Sequence, residues 1–341
     1  MKKKSLIYFI VTCSLLVVIA LGIGYWYIQN FAQKTIHLST PEQTFVLKRG
    51  TSVASLAKQM EQEELIADAS LLPYLMKINP ELQGIKAGTY SLATDMTVEQ
   101  FLQLLVGGKE VQLTVQFVEG KTAKDWLKIL QEAPNISSTL MDLTLDEIAQ
   151  KLNIDGSLEG WLYPDTYNYT NGTSDLAILE RAHQKMKTTL QAIWDNRDDD
   201  LPYETPYEML IMASIIEKET GVDAERAKVA SVFINRLRYK MLLQTDPTVI
   251  YGMGERYTGK LLSKDLRDAT NPYNTYIIKR FPPTPIAMPS LASLEAAAHP
   301  DKTNYIYFVA DAQGGHVFTT NYKAHQKAVS EYWRLIREKQ Q

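Results

Sequence analysis

Two glutamates, Glu217 and Glu219, close an apolar run from Met209 to Ile216, and carboxyls in that setting can move protons. The run is apolar all round, so its helix is expected to be buried rather than amphipathic. Thr205 and Glu208 have capping-box spacing and Pro206 takes the first helical position, which marks the start. Gly221 suits the position just past the end. Three effects raise a carboxyl pKa at such a terminus. Burial disfavours the anion, as does the negative end of the helix dipole. A second carboxylate two residues away repels it, with Lys218 between them as a partial offset. A carboxyl that keeps its proton near neutral pH can serve as general acid in cleaving a glycosidic bond. The plain alternative is two exposed glutamates paired to Arg226 or Lys228. Residues two apart on a helix point about 200° from each other, so the two glutamates are not expected to share one site.

Two later segments carry polar and aromatic residues suited to a sugar cleft. Gln244 lies in Met241 to Pro247, and Tyr273 and Asn274 lie in Asn271 to Tyr276. Buried Gln and Asn commonly satisfy backbone groups, and a Tyr beside Pro is often core. Asp246 precedes Pro247 and reads as a turn or cap. Trp161, Tyr163, Tyr167 and Tyr169 cluster in one segment and suit either sugar stacking or a core. Four aspartates between Asp195 and Asp200 read as a solvated loop, without the alternation of a calcium loop. The five histidines show no H-E-x-x-H spacing, so neither metal nor cofactor is expected. Ser214 lies inside the buried helix with no G-x-S-x-G around it, against a serine hydrolase.

The elements that must position these residues follow from periodicity. The chain has 341 residues, 45% apolar and 22% charged, which excludes a disordered or low-complexity protein and predicts two to three domains. One cysteine, Cys13, excludes an internal disulfide framework, and a net charge of −3 gives no reason to expect nucleic acid. Lys2 to Lys4 precede Leu6 to Ile28, a nearly wholly apolar stretch that spans about 34 Å as a helix, enough for the hydrocarbon core. The lysines favour a cytoplasmic N-terminus, and Tyr25, Trp26 and Tyr27 suit the far interface. A cleaved signal peptide is the rival, but the run is long and no Ala-x-Ala follows. The expected organisation is a tail at 1–5, a transmembrane helix at 6–28, a module at 43–108, a connecting α+β region at 109–200 and a catalytic domain at 201–340.

Within 43–108 the pattern strand, helix, helix, strand resembles a LysM-like module, which would bind cell-wall glycan or serve as a spacer. The order of Glu219-Thr220, Leu242-Leu243-Gln244 and Pro272-Tyr273-Asn274 resembles the three motifs of goose-type lysozymes and lytic transglycosylases. It departs in Thr220, in Leu242 and Leu243, and in Pro272. "MASIIEKET", "KVASVFINRLRYKMLLQTDPTVIYGMGERYTGKL", "PYNTY" and "AAAHPDKTNYIYFVADAQGGHVF" resemble the YceG-like (MltG) family of endolytic murein transglycosylases across essentially the whole chain.

The resemblance implies an α+β fold with a helical, lysozyme-related catalytic core. It implies a lyase that cuts nascent peptidoglycan strands between N-acetylmuramic acid and N-acetylglucosamine and leaves 1,6-anhydro ends. Glu219 would be the general acid and base, with Glu217 as runner-up or support, and Gln244, Tyr273 and Asn274 would bind the glycan. A bacterial inner-membrane location follows, single-pass, with the C-terminal part in the periplasm. Glycan strands and the membrane would be its partners, and glycan synthases of the same membrane are suggested as a third. The competing class is a membrane-tethered glycan-binding or scaffold protein in which the glutamates are structural.

Overall fold

In the computed structural model, which describes residues 2–339, one unbroken helix, α1 (Lys2–Ala32), opens the chain. Met1 and Gln340, the outer residues of the expected tail and catalytic ranges, lie outside the described residues, as does Gln341. From Lys4 to Ala32 the helix is long and apolar enough to cross a membrane. Its apolar side chains project outward uncovered, Leu21 at 68% and Trp26 at 60% exposure. The last turn differs: Phe31 and Ala32 are buried and join the core of the folded unit that follows. Val98 N donates to Lys34 O (2.9 Å) and Ile36 N to Met96 O (2.8 Å), so α1 runs into that unit without a free linker.

Contacts divide the chain into two units, one of residues 1–113 with 169–171, the other of 114–168 with 172–341. In the first, β1 (Thr44–Leu47), α2 (Val53–Gln62), α3 (Leu72–Ile78), β2 (Gly88–Ser91) and α4 (Val98–Gly107) follow in order. β1 and β2 pair antiparallel with Phe45 opposite Tyr90. The helices are set by their caps. Ser52 Oγ accepts from Ser55 N (3.1 Å), and Thr97 and Gln100 form a reciprocal capping box. At the end of α4, Gly108 takes φ +66°, a left-handed value that costs a residue with Cβ. Phe101 from α4 meets Phe45 edge to face at 5.0 Å, and both are fully buried.

The second unit begins with β3 (Leu113–Gln116), α5 (Ala123–Glu132), α6 (Leu145–Lys151), β4 (Thr166–Tyr169) and α7 (Asp175–Asp195), with β3 paired to β4. Next come α8 (Pro206–Glu219), α9 (Arg226–Arg238), α10 (Asp246–Met253) and α11 (Leu291–Ala298). The hairpin β5 (Tyr307–Ala310) with β6 (His316–Thr319) and the last helix α12 (Tyr322–Lys339) complete it. The fold is thus mixed, mainly helical with small two-stranded sheets.

α8 is the axis of this unit. Every residue from Met209 to Ile216 is buried, because α7, α9, α10 and α11 pack around it. Ser214, fully buried, donates to Ile211 O (2.7 Å) and accepts from Ile286 N (3.0 Å), a structural use of its hydroxyl. Most of the stretch 109–200, residues 114–168 and 172–200, falls in the same unit as α8 and supplies α7 to that packing. Trp161 stacks on Tyr207 at 5.8 Å, and Tyr167 and Tyr169 are buried, so these aromatic side chains serve packing.

Both ends of α8 differ in detail from expectation. Thr205 Oγ1 accepts from Glu208 N (3.3 Å), but the Glu208 carboxylate takes Glu204 N (2.6 Å) instead of closing a capping box. Arg280 also pairs with that carboxylate (3.1 Å), which holds it away from Thr205 N. At the other end Thr220, extended at φ −142°, stops the helix, and its hydroxyl accepts from Val222 N (3.0 Å). Gly221 needs no left-handed conformation there.

Candidate active site

The end of α8 sends its two carboxyls to different places. Glu217 points into packed protein. Its Oε2 accepts from Ser290 N (2.9 Å), Ser290 Oγ (2.5 Å) and Ser293 Oγ (2.7 Å) at the start of α11. Its Oε1 lies 3.8 Å from Arg226 Nη2 at the start of α9, and its side chain is only 5% exposed. A carboxyl that accepts three hydrogen bonds and faces a guanidinium acts as a clamp between helices. Lys218, exposed between the glutamates, reaches Gly120 O (3.0 Å).

Glu219 faces the other way, into a cavity of about 340 Å³. α9 contributes Phe233 and Arg236 to its wall, the turn before α10 contributes Gln244, and α10 contributes its first residue, Asp246. Tyr276, Tyr307 and His325 close it from a loop, β5 and α12. Thr245 Oγ1 donates to Glu219 Oε1. Burial pushes the Glu219 carboxyl up to about 7. The Thr245 hydrogen bond opposes the rise, the negative Asp246 adds to it, and His316 and Arg236 oppose it. His316 is itself fixed by Glu225, which accepts from its backbone N (3.0 Å) and bonds its ring Nδ1 (2.7 Å).

Arg236 is a fixed cation in the wall. It is 7% exposed; its Nε donates to Ile306 O (2.8 Å) and its Nη1 to Leu243 O (2.6 Å) and Leu242 O (3.1 Å). Its guanidinium carbon lies 5.1 Å from the centre of the Tyr307 ring. His325 stacks on the other partner of this group, with its ring 4.9 Å from that of Tyr307. The His325 Nδ1 is buried without a hydrogen bond.

Of the other residues expected in the site, only Gln244 reaches this cavity. It is held at φ +52°, its backbone N donates to Thr275 O (3.1 Å), and its Oε1 lies 3.4 Å from Arg236 Nη1. Tyr273 is absent from the cavity wall: its ring meets Tyr251 edge to face at 4.9 Å and its hydroxyl bonds Thr284 (2.9 Å). Asn274 is fully buried. Its Nδ2 donates to the carbonyls of Asp268 (3.0 Å), Leu266 (3.2 Å) and Asp265 (3.3 Å), and its Oδ1 accepts from Tyr276 N (3.1 Å). That uses its donors and an acceptor on one loop, so Asn274 shapes the wall and Tyr276, two residues on, enters the cavity. Of the two tyrosines of this loop, Tyr276 lines the cavity and Tyr273 does not.

A second buried carboxyl sits apart from this cavity. Glu159 is 3% exposed; its Oε1 accepts from Ala123 N (3.0 Å) and its Oε2 from Tyr251 Oη (3.0 Å). Burial pushes it too up to about 7. It ties the start of α5 to α10. Among the described residues no group of three or more His, Cys, Asp or Glu is placed to hold a metal ion.

The raised Glu219 pKa has a stability consequence. The group holds its proton more tightly in the folded protein than in the unfolded chain. Its contribution is therefore complete below about pH 4.5 and is lost as pH rises through about 7. Glu219→Gln is expected to leave stability unchanged at pH 4 and to raise it at pH 8 by roughly 1–3 kcal/mol, read from thermal unfolding at the two values.

The chain is similar to known proteins over most of its length. A model of the YceG-like family matches residues 45–331. The endolytic murein transglycosylase of Bacillus subtilis (strain 168) is 30% identical over 336 residues, which cover 92% of this chain and 89% of that one. That of Streptococcus pneumoniae serotype 2 is 26% identical over 345 residues, covering 91% of this chain and 62% of the longer relative. The crystal structure of a YceG-like protein from Listeria monocytogenes aligns with a TM-score of 0.54 at 30% identity, over 85% of this chain and 99% of that one. The chain belongs to the YceG-like family.

Proposed function

We propose that the chain is an endolytic murein transglycosylase, a lyase that cuts within peptidoglycan glycan strands. The observation that carries the chemistry is Glu219, facing a cleft and held near pKa 7 by burial. Protonated Glu219 gives its proton to the oxygen between N-acetylmuramic acid and the next N-acetylglucosamine. The C6 hydroxyl of the muramic acid then attacks the anomeric carbon, and Glu219, now a carboxylate, takes the hydroxyl proton. One carboxyl serves twice and no water is consumed, unlike the usual two-carboxylate glycosidase. Gln244, in the cleft, binds a hydroxyl or acetamido group. Glu217 supports the site by clamping α8 to α9 and α11.

The same reading extends to the rest of the chain. α1 stays in the cytoplasmic membrane with its lysines inside, so everything after it faces the cell wall. The first folded unit is a LysM-like module, in keeping with its β-α-α-β order, and the second is a lysozyme-related core built on α8. The test is product mass after the full-length protein meets uncrosslinked strands in detergent. Products with 1,6-anhydro ends, lighter by one water than hydrolytic ones, are expected. Reducing ends made with water would indicate a hydrolase, and intact strands that co-purify with the protein would indicate a binding protein.

A further inference from the structure

Asp246 stands in the same cavity as Glu219 and is the one other acidic side chain among its lining residues. It is exposed, at the first position of α10. Its Oδ1 accepts from Tyr276 Oη at 2.6 Å. Burial and that bond push the Tyr276 phenol well above its usual range, so it stays a donor. Oδ2 has no hydrogen bond from the protein among the described residues. The adjacent residue, Thr245, donates to Glu219, so one turn of chain positions both carboxyls. Arg236 does not neutralise Asp246: its Nε and Nη1 are held by backbone carbonyls and Gln244.

Both are therefore carboxyls of one cleft with opposite environments. Glu219 is half-buried, and burial raises its pKa to about 7, whereas Asp246 is exposed and held on one oxygen only. That division is the pattern in which one group donates a proton and the other answers developing positive charge. Charge on the sugar ring grows as its glycosidic bond breaks, and a fixed anion in a cleft that substrate has emptied of water acts strongly on it.

We propose that Asp246 is a second catalytic carboxylate, whose Oδ2 accepts the acetamido N–H of the muramic acid and stabilises the cation formed at its anomeric carbon. This rests on the transglycosylase reading above. In the first step the bond from C1 to the bridging oxygen breaks, and that oxygen takes the Glu219 proton. The acetamido oxygen bonds C1 with its own electron pair, giving an oxazolinium ion beside Asp246. In the second step the C6 hydroxyl oxygen bonds C1, the acetamido oxygen leaves with its pair, and Glu219 recovers a proton from the hydroxyl. Asp246 gains and loses nothing.

The groups facing Glu219 are Asp246 from α10, Arg236 from α9, His316 from β6 and Tyr276 from its loop. Removing the negative one makes ionisation of Glu219 easier. The basic limb of kcat/KM, where the acid loses its proton, must then move to lower pH. Full-length Asp246→Asn is expected to lose about 10²-fold or more in kcat with KM within threefold, and to shift that limb downward. Tyr276→Phe keeps the charge, so its limb should stay in place while kcat falls less. A folded Asp246→Asn with kcat within threefold of wild type overturns the proposal, as does a loss of kcat with the limb unmoved. Wild-type protein that forms no anhydro ends would instead strike the transglycosylase reading itself.

Discussion

Glu219→Gln is expected to leave a folded protein with at least about 10³-fold less activity on glycan strands, because the group acts as acid and then as base. Glutamine keeps the shape and can still accept from Thr245, but it holds no transferable proton. Nothing else in the cavity replaces it. Asp246 is exposed and held by Tyr276, and His325 is pushed below its ordinary pKa by burial, so it is a poor proton source at neutral pH. Product release measured by chromatography, beside a thermal melt of the same sample, checks both halves of the expectation. An active glutamine variant would move the acid elsewhere.

Glu217→Ala should do the reverse. Truncation leaves Arg226, 8% exposed, with Asp223 as its remaining acidic partner and strips three hydrogen bonds from Glu217 at the start of α11. Breaking a buried pair by removing one partner costs about 3–5 kcal/mol, and the retained Asp223 contact argues for the lower end. The melting temperature is therefore expected to fall by several degrees, with activity per folded molecule within a few-fold of wild type below the transition. Glu217→Gln, which keeps an acceptor for the serines, should lose less. A Glu217→Ala variant that melts like wild type but has no activity would exchange the roles of the two glutamates.

That the two glutamates meet different surroundings was legible from spacing, since positions two apart on a helix point about 200° from each other. α8 itself was legible for the same reason: an apolar run with Thr205 and Pro206 before it has few other ways to fold. The rest of the cleft was not. Arg236, Asp246, Tyr276, Tyr307 and His325 come from α9, α10, a loop, β5 and α12, and no local pattern links them. Their meeting is a consequence of tertiary packing around α8. The third motif pointed to a loop that reaches the cavity, but through Tyr276 rather than through the motif's own Tyr273, and no sequence pattern says which side chain of a loop turns inward. There Asn274 spends its amide on three carbonyls and so aims Tyr276, rather than Tyr273, inward. Asp246 read as a turn or cap, whereas Thr245 is the cap and Asp246 the first residue of α10; that it also faces Glu219 depends on how the turn at Gln244, with its positive φ, delivers α10.

The α1 helix was legible from composition alone, but its junction was not. That Phe31, Ala32 and Ile36 are buried while Trp26 and Tyr27 just before them are exposed depends on the strands and helices that close over the former.

The most direct measurement is the titration of the Glu219 carboxyl itself, followed as the difference in carboxyl infrared absorption between wild type and Glu219→Gln across pH. A protonation step centred near pH 7 is predicted. A step near 4.5, the value of an ordinary glutamate, would mean that the group is already ionised when the sugar arrives, and would contradict the proposed mechanism.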